Sequence, residues 1–324
     1  MVSLRTGPVV SAKSLKYPEP RMQKLEEKRP SHEVAADSTA KVAVSVIIPV
    51  RNEAANLPRC LEALREMGEV YVIDSQSTDS TVDIARSYGA QVVQFHYQGG
   101  WPKKRQWAMD TLRLAHEWIL LLDADEVLTS ELAREIAQAI QNPKVNGYYI
   151  ALRIHFLGRV LRHGDARFWK LSLFRRSTGR YECRLKGQDA SMADMEIHEH
   201  VIVEGATARL KNPLPHHNTE SLSHYIRKHD EYSNWEAQVL LQNETRPDEI
   251  APSLFGTQAQ RRRWLKKKIF AIPGSPALLF IYRYLFRLGF LDGVPGLIYC
   301  SFQAVQMFHT KAKMYELRSK KDSA

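Results

Sequence analysis

From residue 44 onward the chain alternates short β-branched runs with segments of helical period. The run 44–49 is apolar but for Ser45 and stops at a proline, the pattern of a strand covered on both faces. After it, Leu57, Cys60, Leu61 and Leu64 recur at i, i+3, i+4 and i+7, with Asn56 placed as a cap, Pro58 in the first turn and Gly68 past the end. The same reading gives a strand over 70–74, a helix over 80–88 closed by Gly89, and a strand over 91–95. A helix over 103–116 then leads into an apolar strand, 118–122, which breaks off at Asp123-Ala124-Asp125-Glu126. Alternating β and α elements predict an α/β fold with a mostly parallel sheet and helices on both faces. Further along, 148–154, 168–174 and 201–210 read as strands, antiparallel or mixed with the first sheet, and 221–242 as a helix.

Charge divides the chain further. The sequence has 324 residues, 44% of them hydrophobic and 25% charged, which excludes a disordered chain and a multispan membrane protein. Its net charge is +10. Residues 1–40 carry +2 and residues 250–291, with no acid, carry +8, so the rest of the chain balances to zero. A nucleic-acid binder would spread positive charge over its folded body, so no nucleic-acid partner is expected. The layout favours a flexible leader (1–40), a neutral catalytic or binding domain (41–220) and a helical, basic C-terminal region (221–324). No apolar h-region occurs in the first 30 residues, and Cys60, Cys183 and Cys300 form no Cys-x-x-Cys pair, so a reducing, cytoplasmic setting is expected. The apolar stretch 273–307 holds Arg283, Arg287 and Asp292, and Pro295-Gly296 interrupts its longest uncharged part; it reads as interfacial helices, not a membrane span.

Ligands of doubly wound sheets sit beyond the carboxyl ends of the strands. Three polar sets fall there: Arg51-Asn52-Glu53, Asp74 with residues 75–78, and Asp123 with Asp125. Asp123 and Asp125 point the same way in an extended segment, and two such carboxylates call for a cation or donors; hard oxygen ligands suit Mg²⁺ or Mn²⁺ carried on substrate phosphates. Neither Gly-rich phosphate loop is present, so a bound nucleotide must be held by side chains and a metal.

The runs Val46-Ile47-Ile48-Pro49-Val50-Arg51-Asn52-Glu53, Val72-Ile73-Asp74-Ser75 with Ser77-Thr78-Asp79-Ser80-Thr81, and Trp118-Ile119-Leu120 through Asp123-Ala124-Asp125-Glu126 resemble the family 2 glycosyltransferases of the GT-A (Rossmann-like) fold over residues 44–220. Trp101-Pro102-Lys103-Lys104-Arg105-Gln106-Trp107-Ala108 and Gly289-Phe290-Leu291-Asp292-Gly293 narrow the resemblance to the lipopolysaccharide or lipooligosaccharide core β-1,4-glucosyltransferase branch. The resemblance implies an inverting transferase that moves a hexose, glucose foremost, from a UDP-sugar to a hydroxyl of a lipid-linked saccharide. Its implied setting is the anionic inner face of the cytoplasmic membrane, where the protein would be peripheral. By the same resemblance Pro49, Val50, Asn52 and Glu53 line the nucleotide pocket, Asp74 accepts from the uracil ring, and Lys104 or Arg105 approaches the base or diphosphate. Asp123 then faces ribose or sugar, Asp125 ligates the divalent metal, and His216, favoured by register over His217, completes the metal site.

For the base that deprotonates the acceptor, Glu199 in Ile197-His198-Glu199-His200-Val201 is the foremost candidate, with His198, Asp194 and Asp189 as competitors. A zinc site on the pair His198/His200 is a second use of the same segment. Gln260-Arg261-Arg262-Arg263-Trp264 matches the Gln-x-x-Arg-Trp signature of processive polysaccharide synthases, but without their spanning helices 260–268 reads as a membrane-facing basic helix. Two other classes compete: a nucleotidyltransferase, which would show a Gly-rich basic loop after the first strand, and a non-catalytic basic adaptor, which would need no acidic strand ends.

Overall fold

The computed structural model describes residues 41–185, 187, 194, 196, 199–218, 221–242, 250–255 and 258–322; the leader expected at 1–40 lies outside them. The apolar run after the leader forms β1 (Val42–Val50). Alternate side chains of β1 enter two layers: Val44, Val46, Ile48 and Val50 pack on one face of the sheet and Ile47 on the other. The first layer is closed by α1 (Leu57–Glu62), through Leu57 and Leu61, the second by α3 (Lys104–Thr111), through Ala108 and Met109. Between them come β2 (Met67–Asp74), α2 (Thr81–Ser87) and β3 (Gln91–Gln94), and after α3 come β4 (Trp118–Leu121) and α4 (Ser130–Ala139). Thr129 caps α4, its hydroxyl accepting from the Leu132 amide at 3.2 Å, and Leu132 and Ile136 seat it on the first layer.

The second half supplies β5 (Gly147–Phe156), the short β6 (Arg159–Val160), β7 (Phe168–Arg175), β8 (Gly179–Tyr181), β9 (Val201–Val203), β10 (Thr207–Arg209) and β11 (Leu214–Asn218). Among the described residues the main sheet runs β10-β5-β7-β4-β1-β2-β3, with β11 continuing beside β5 past β10. β7 is antiparallel to both its neighbours, β4 and β5, while β1, β2, β3 and β4 are mutually parallel, as are β5, β10 and β11. This is the expected mostly parallel α/β sheet flanked by helices.

Local departures from the sequence reading have tertiary causes. The helix expected over 103–116 ends at Thr111, because Leu112 turns extended and the next residues are held by β2: the Tyr71 hydroxyl donates to the Arg113 carbonyl at 3.4 Å and Glu69 accepts from the Ala115 amide at 2.7 Å. Gly68 lies inside β2, where any side chain would collide with His116. The strand expected over 201–210 breaks into β9 and β10 around Gly205, whose φ of 94° suits glycine. α4, β6, β8 and β11 were not anticipated.

Four helices close the chain: α5 (Leu222–Gln242), α6 (Gln258–Ala271), α7 (Ser275–Ile281) and α8 (Gly293–Asp322). Residues 39–324 form one compact unit, so these helices extend the catalytic body. Phe156 at the end of β5 meets the rings of Tyr225 on α5 and of Tyr299 and Phe302 on α8, at centroid distances of 5.5, 5.8 and 6.5 Å. The buried Asp292 carboxylate accepts from the Arg162 and His163 amides at 3.0 and 2.8 Å and meets the His163 Nδ1 at 3.1 Å. Gly164 and Gly289 both lie against the Cys300 sulfur, where a Cβ would clash. The Gly-Phe-Leu-Asp-Gly run is thus a clasp between the α7–α8 connection and the loop after β6.

α6 turns part of the basic run 260–268 inward. Arg263 is buried, pairing with Glu182 and donating to the Ile250 carbonyl at 3.1 Å, and Lys266 pairs with Glu236, while Leu265 and Lys268 are exposed. Among the described residues no single helix is long and apolar enough to cross a membrane; Ser275–Phe286 and Gly289–Lys320 reach that length only as a pair bent by 71°.

Replacing Asp292 by alanine orphans two loop amides and should lower stability by about 2–3 kcal/mol. Urea unfolding followed by circular dichroism measures it, and a midpoint equal to wild type would show that the clasp carries no load.

Candidate active site

The carboxyl ends of β1 and β4 open into a cavity of ≈ 1910 Å³ that α5, α6 and α8 also line. Pro49, Val50, Asn52, Glu53, Lys104, Arg105, Asp123, Asp125, Glu199 and His216, all anticipated, face this one space. Asp74 does not. It is fully buried, and its carboxylate accepts from the Ser77 amide (3.1 Å), the Ser77 hydroxyl and the Gln94 amide group (2.9 Å), which organises the turn after β2. Asn52, with φ of 56°, locks onto the same turn, accepting from the Thr78 amide and taking Ser77 as acceptor for its own.

The start of α3 meets an acidic segment. Lys103 pairs with Glu199 at 2.7 Å, Lys104 with Asp194 at 3.1 Å, and Arg105 with Asp123 and, at 4.0 Å, with Glu196. Glu196 also accepts the Arg105 and Gln106 amides at 3.1 and 2.9 Å, satisfying the open N-terminus of α3. Lys104 donates further to the Val50 carbonyl at 3.0 Å. Burial lowers the Lys104 pKa despite Asp194 and raises that of Glu196 despite Arg105. Lys104 and Arg105, expected at the base or diphosphate, are therefore committed to protein carboxylates.

Asp123, expected at ribose or sugar, is likewise engaged: one oxygen takes Arg105, the other Lys170 at 3.0 Å. Burial would raise its pKa, but Lys170 and Arg105 hold the carboxyl far below the usual range. Lys170 on β7 also reaches Glu126 at 3.2 Å, and Glu126, fully buried, accepts from the Asp123 amide at 2.9 Å. The sequence reading missed Lys170 and the role of Glu126; the lone lysine in the apolar strand 168–174 was the available signal.

β11 delivers the histidine. The Val127 amide donates to the Pro215 carbonyl at 3.0 Å and the His217 amide to the Asp125 carbonyl at 2.7 Å, so 125–127 runs antiparallel to 215–217. His216 Nε2 comes within 3.4 Å of Asp125 Oδ2, while His217 turns away and stacks on His155 at 4.1 Å. Burial would lower the His216 pKa, but Asp125 and Glu126 raise it to about 9. The buried Asp125 Oδ1 has no hydrogen-bond partner. Among the described residues no three His, Cys, Asp or Glu side chains are arranged to hold a metal. Two protein ligands with an unspent carboxylate oxygen nevertheless fit Mg²⁺ or Mn²⁺, which bind through one or two carboxylates and substrate phosphates.

Glu199 lines the cavity, its carboxylate buried against Lys103, whose ammonium also sits 4.7 Å from the centre of the Trp235 ring. Of its competitors, Asp194 holds Lys104 and Ser75, whereas Asp189 and His198, and with His198 the zinc alternative, lie outside the described residues.

An acidic sheet edge backed by buried cations and opening into a large cavity is the site of a group-transfer enzyme. Residues 45–199 match the model of Glycosyl transferase family 2, so the chain carries a family 2 glycosyltransferase domain. It is 26% identical over 284 residues to the lipopolysaccharide core biosynthesis glycosyltransferase LpsC of Rhizobium meliloti (strain 1021), covering 85% of this chain and 93% of LpsC. An uncharacterized glycosyltransferase of Rickettsia bellii (strain RML369-C) is 28% identical over 214 residues, 64% of this chain and 70% of that one. Among solved structures, TarS 1-349 of S. aureus in complex with UDP-GlcNAc aligns with a TM-score of 0.43 at 16% identity, over 86% of this chain and 92% of that one. Glucosyl-3-phosphoglycerate synthase from Mycobacterium tuberculosis, in complex with Mn²⁺, UDP and phosphoglyceric acid, aligns with a TM-score of 0.39 at 15% identity, over 65% and 81%.

Glu196→Ala removes the acceptor for two α3 amides and a charge beside the buried Arg105. It should destabilise the protein by about 3–5 kcal/mol, read as a fall in the chemical-denaturation midpoint.

Proposed function

We propose that the chain is an inverting transferase that moves a hexose, glucose in our reading, from a UDP-sugar to a hydroxyl of a membrane glycolipid such as lipopolysaccharide core. The observation that carries this reading is the meeting of Asp125 with His216 at the mouth of a cavity walled by Pro49, Val50, Asn52 and Glu53. Two supports are independent of it. LpsC names lipopolysaccharide core biosynthesis, and the cavity exceeds the roughly 300–1,000 Å³ of a usual ligand pocket, leaving room for donor and acceptor together.

In this reading Glu199 accepts the proton of the acceptor hydroxyl while the acceptor oxygen bonds the anomeric carbon and the bond to the diphosphate breaks on the opposite side. Lys103 fixes the orientation of Glu199. Pro49, Val50, Asn52 and Glu53 hold the nucleoside, and the Asp123–Lys170–Arg105 cluster keeps Asp125 in place at the end of β4. Asp125 and His216 would hold a divalent ion, Mg²⁺ or Mn²⁺, which when bound neutralises diphosphate charge. The buried Arg263 of the Gln-x-x-Arg-Trp run also faces the cavity, the one observation that favours a processive synthase; product length by mass spectrometry separates single addition from polymer.

The partner surface is an anionic bilayer at the cytoplasmic face. Leu285, Phe286, Leu288, Phe290, Leu291 and Val294 are all exposed at the α7–α8 bend, Phe286 to 74%, with the exposed Arg287 among them. Apolar side chains beside an exposed arginine match the boundary between acyl chains and phosphates.

A donor screen by UDP release, with membrane extract as acceptor and mass analysis of the lipid, tests the function. UDP-glucose should be turned over in the presence of Mn²⁺, Asp125→Ala should release none, and Glu199→Gln should fall roughly 10²- to 10⁴-fold with UDP affinity retained. No release from any UDP-sugar would refute the reading, and wild-type turnover in Glu199→Gln would remove that residue as base. Leu285, Phe286 and Leu291 changed together to serine should abolish co-flotation with phosphatidylglycerol vesicles and leave UDP binding intact; undiminished flotation would exclude the bend as the anchor.

A further inference from the structure

The cations around the catalytic cavity are, with few exceptions, already spent. Lys103, Lys104, Arg105, Lys170, Arg263 and Lys266 each hold a protein carboxylate. Arg283 and Lys311 donate to the Gly164 and Ile272 carbonyls, and Arg51, Arg227 and Lys267 line the cavity but are exposed, where water screens their charge. Lys228 differs from all of these. It stands on the inner face of α5, one turn after His224 and one turn before Tyr232, and all three line the cavity. Among the described residues no hydrogen bond or ion pair engages its ammonium. The groups that act on its charge are the Tyr232 phenol and then the carboxylates of Asp125, Glu53 and Asp123, all of which line the same cavity.

A half-covered ammonium, held by a helix opposite a carboxylate with a vacant lone pair, defines a gap that an anion with its own counter-cation would fill. We infer that Lys228 is a catalytic residue that contacts the diphosphate of the donor from the side opposite Asp125. The inference rests on the UDP-sugar reading and assigns within it a group that no sequence motif marks. Its chemistry balances. When the bond between the anomeric carbon and the phosphoryl oxygen breaks, the electron pair stays on that oxygen, the diphosphate gains one negative charge, and the acceptor proton passes to Glu199. A fixed ammonium beside that oxygen stabilises the added charge without reorganising, whereas Lys104 and Arg105 could do so only by abandoning buried carboxylates.

The test is calorimetric titration of the full chain with UDP and with uridine in the presence of Mn²⁺, on wild type, Lys228→Met and Lys228→Arg. Losing one charge-assisted contact should weaken UDP about tenfold or more in Lys228→Met, leave uridine within about twofold, and be largely restored in Lys228→Arg. Equal losses for UDP and uridine mark a structural role and overturn the assignment. Unchanged UDP affinity in Lys228→Met overturns it too, and leaves the donor reading standing if wild type binds UDP. Wild type binding no UDP removes the donor reading and this inference with it.

Discussion

Three adjacent cations at the start of α3 and three acids on the segment 194–199 form the constraint on which the site depends. Lys103 meets Glu199, Lys104 meets Asp194, and Arg105 meets Glu196. All six are buried or nearly so, and a buried charge is tolerated only when paired and hydrogen-bonded, so none of these elements can shift without stranding another. Arg105 extends the chain of dependence to Asp123, and Asp123 through Lys170 to Glu126, so α3, the end of β4 and β7 are fixed by one network. The candidate base and the candidate metal ligands are thus positioned relative to each other by groups that need not touch substrate.

The network also divides labour among charged residues that look equivalent in the sequence. Asp123 and Asp125 are two residues apart, yet the first is saturated by Arg105 and Lys170 while the second keeps a buried oxygen without a partner. A cation can be recruited only where a carboxylate has capacity left. His216 and His217 are separated the same way: β11 leaves along β5 in a register that aims one at Asp125 and stacks the other on His155.

The basic C-terminal charge splits as well. Arg263 and Lys266 turn inward onto Glu182 and Glu236, and Lys228 lines the cavity, while Leu265, Lys268 and the apolar bend between α7 and α8 are exposed. The Asp292 clasp and the close approach of Gly164 and Gly289 to Cys300 couple that bend to the loop after β6. That exposed apolar bend is therefore mechanically continuous with the wall of the cavity.

What the sequence determined by itself was everything set by local period and by abrupt polarity change: the strands β1 to β4, the helices between them, the acidic strand ends and the cavity-facing residues from Pro49 to Glu53. These follow from short-range rules, because a continuously apolar run must be buried and a carboxylate that ends it must lie at a sheet edge. Hidden from it were Lys170, the saturation of Asp123, the inward face of α6 and the placement of Lys228. Each depends on which distant charge arrives at van der Waals range, and a side chain's free capacity is a property of its neighbours, not of its identity. Only the tertiary structure, by joining 103–105 to 194–199 and 125–127 to 215–217, decided which of many plausible charged residues remain available for chemistry.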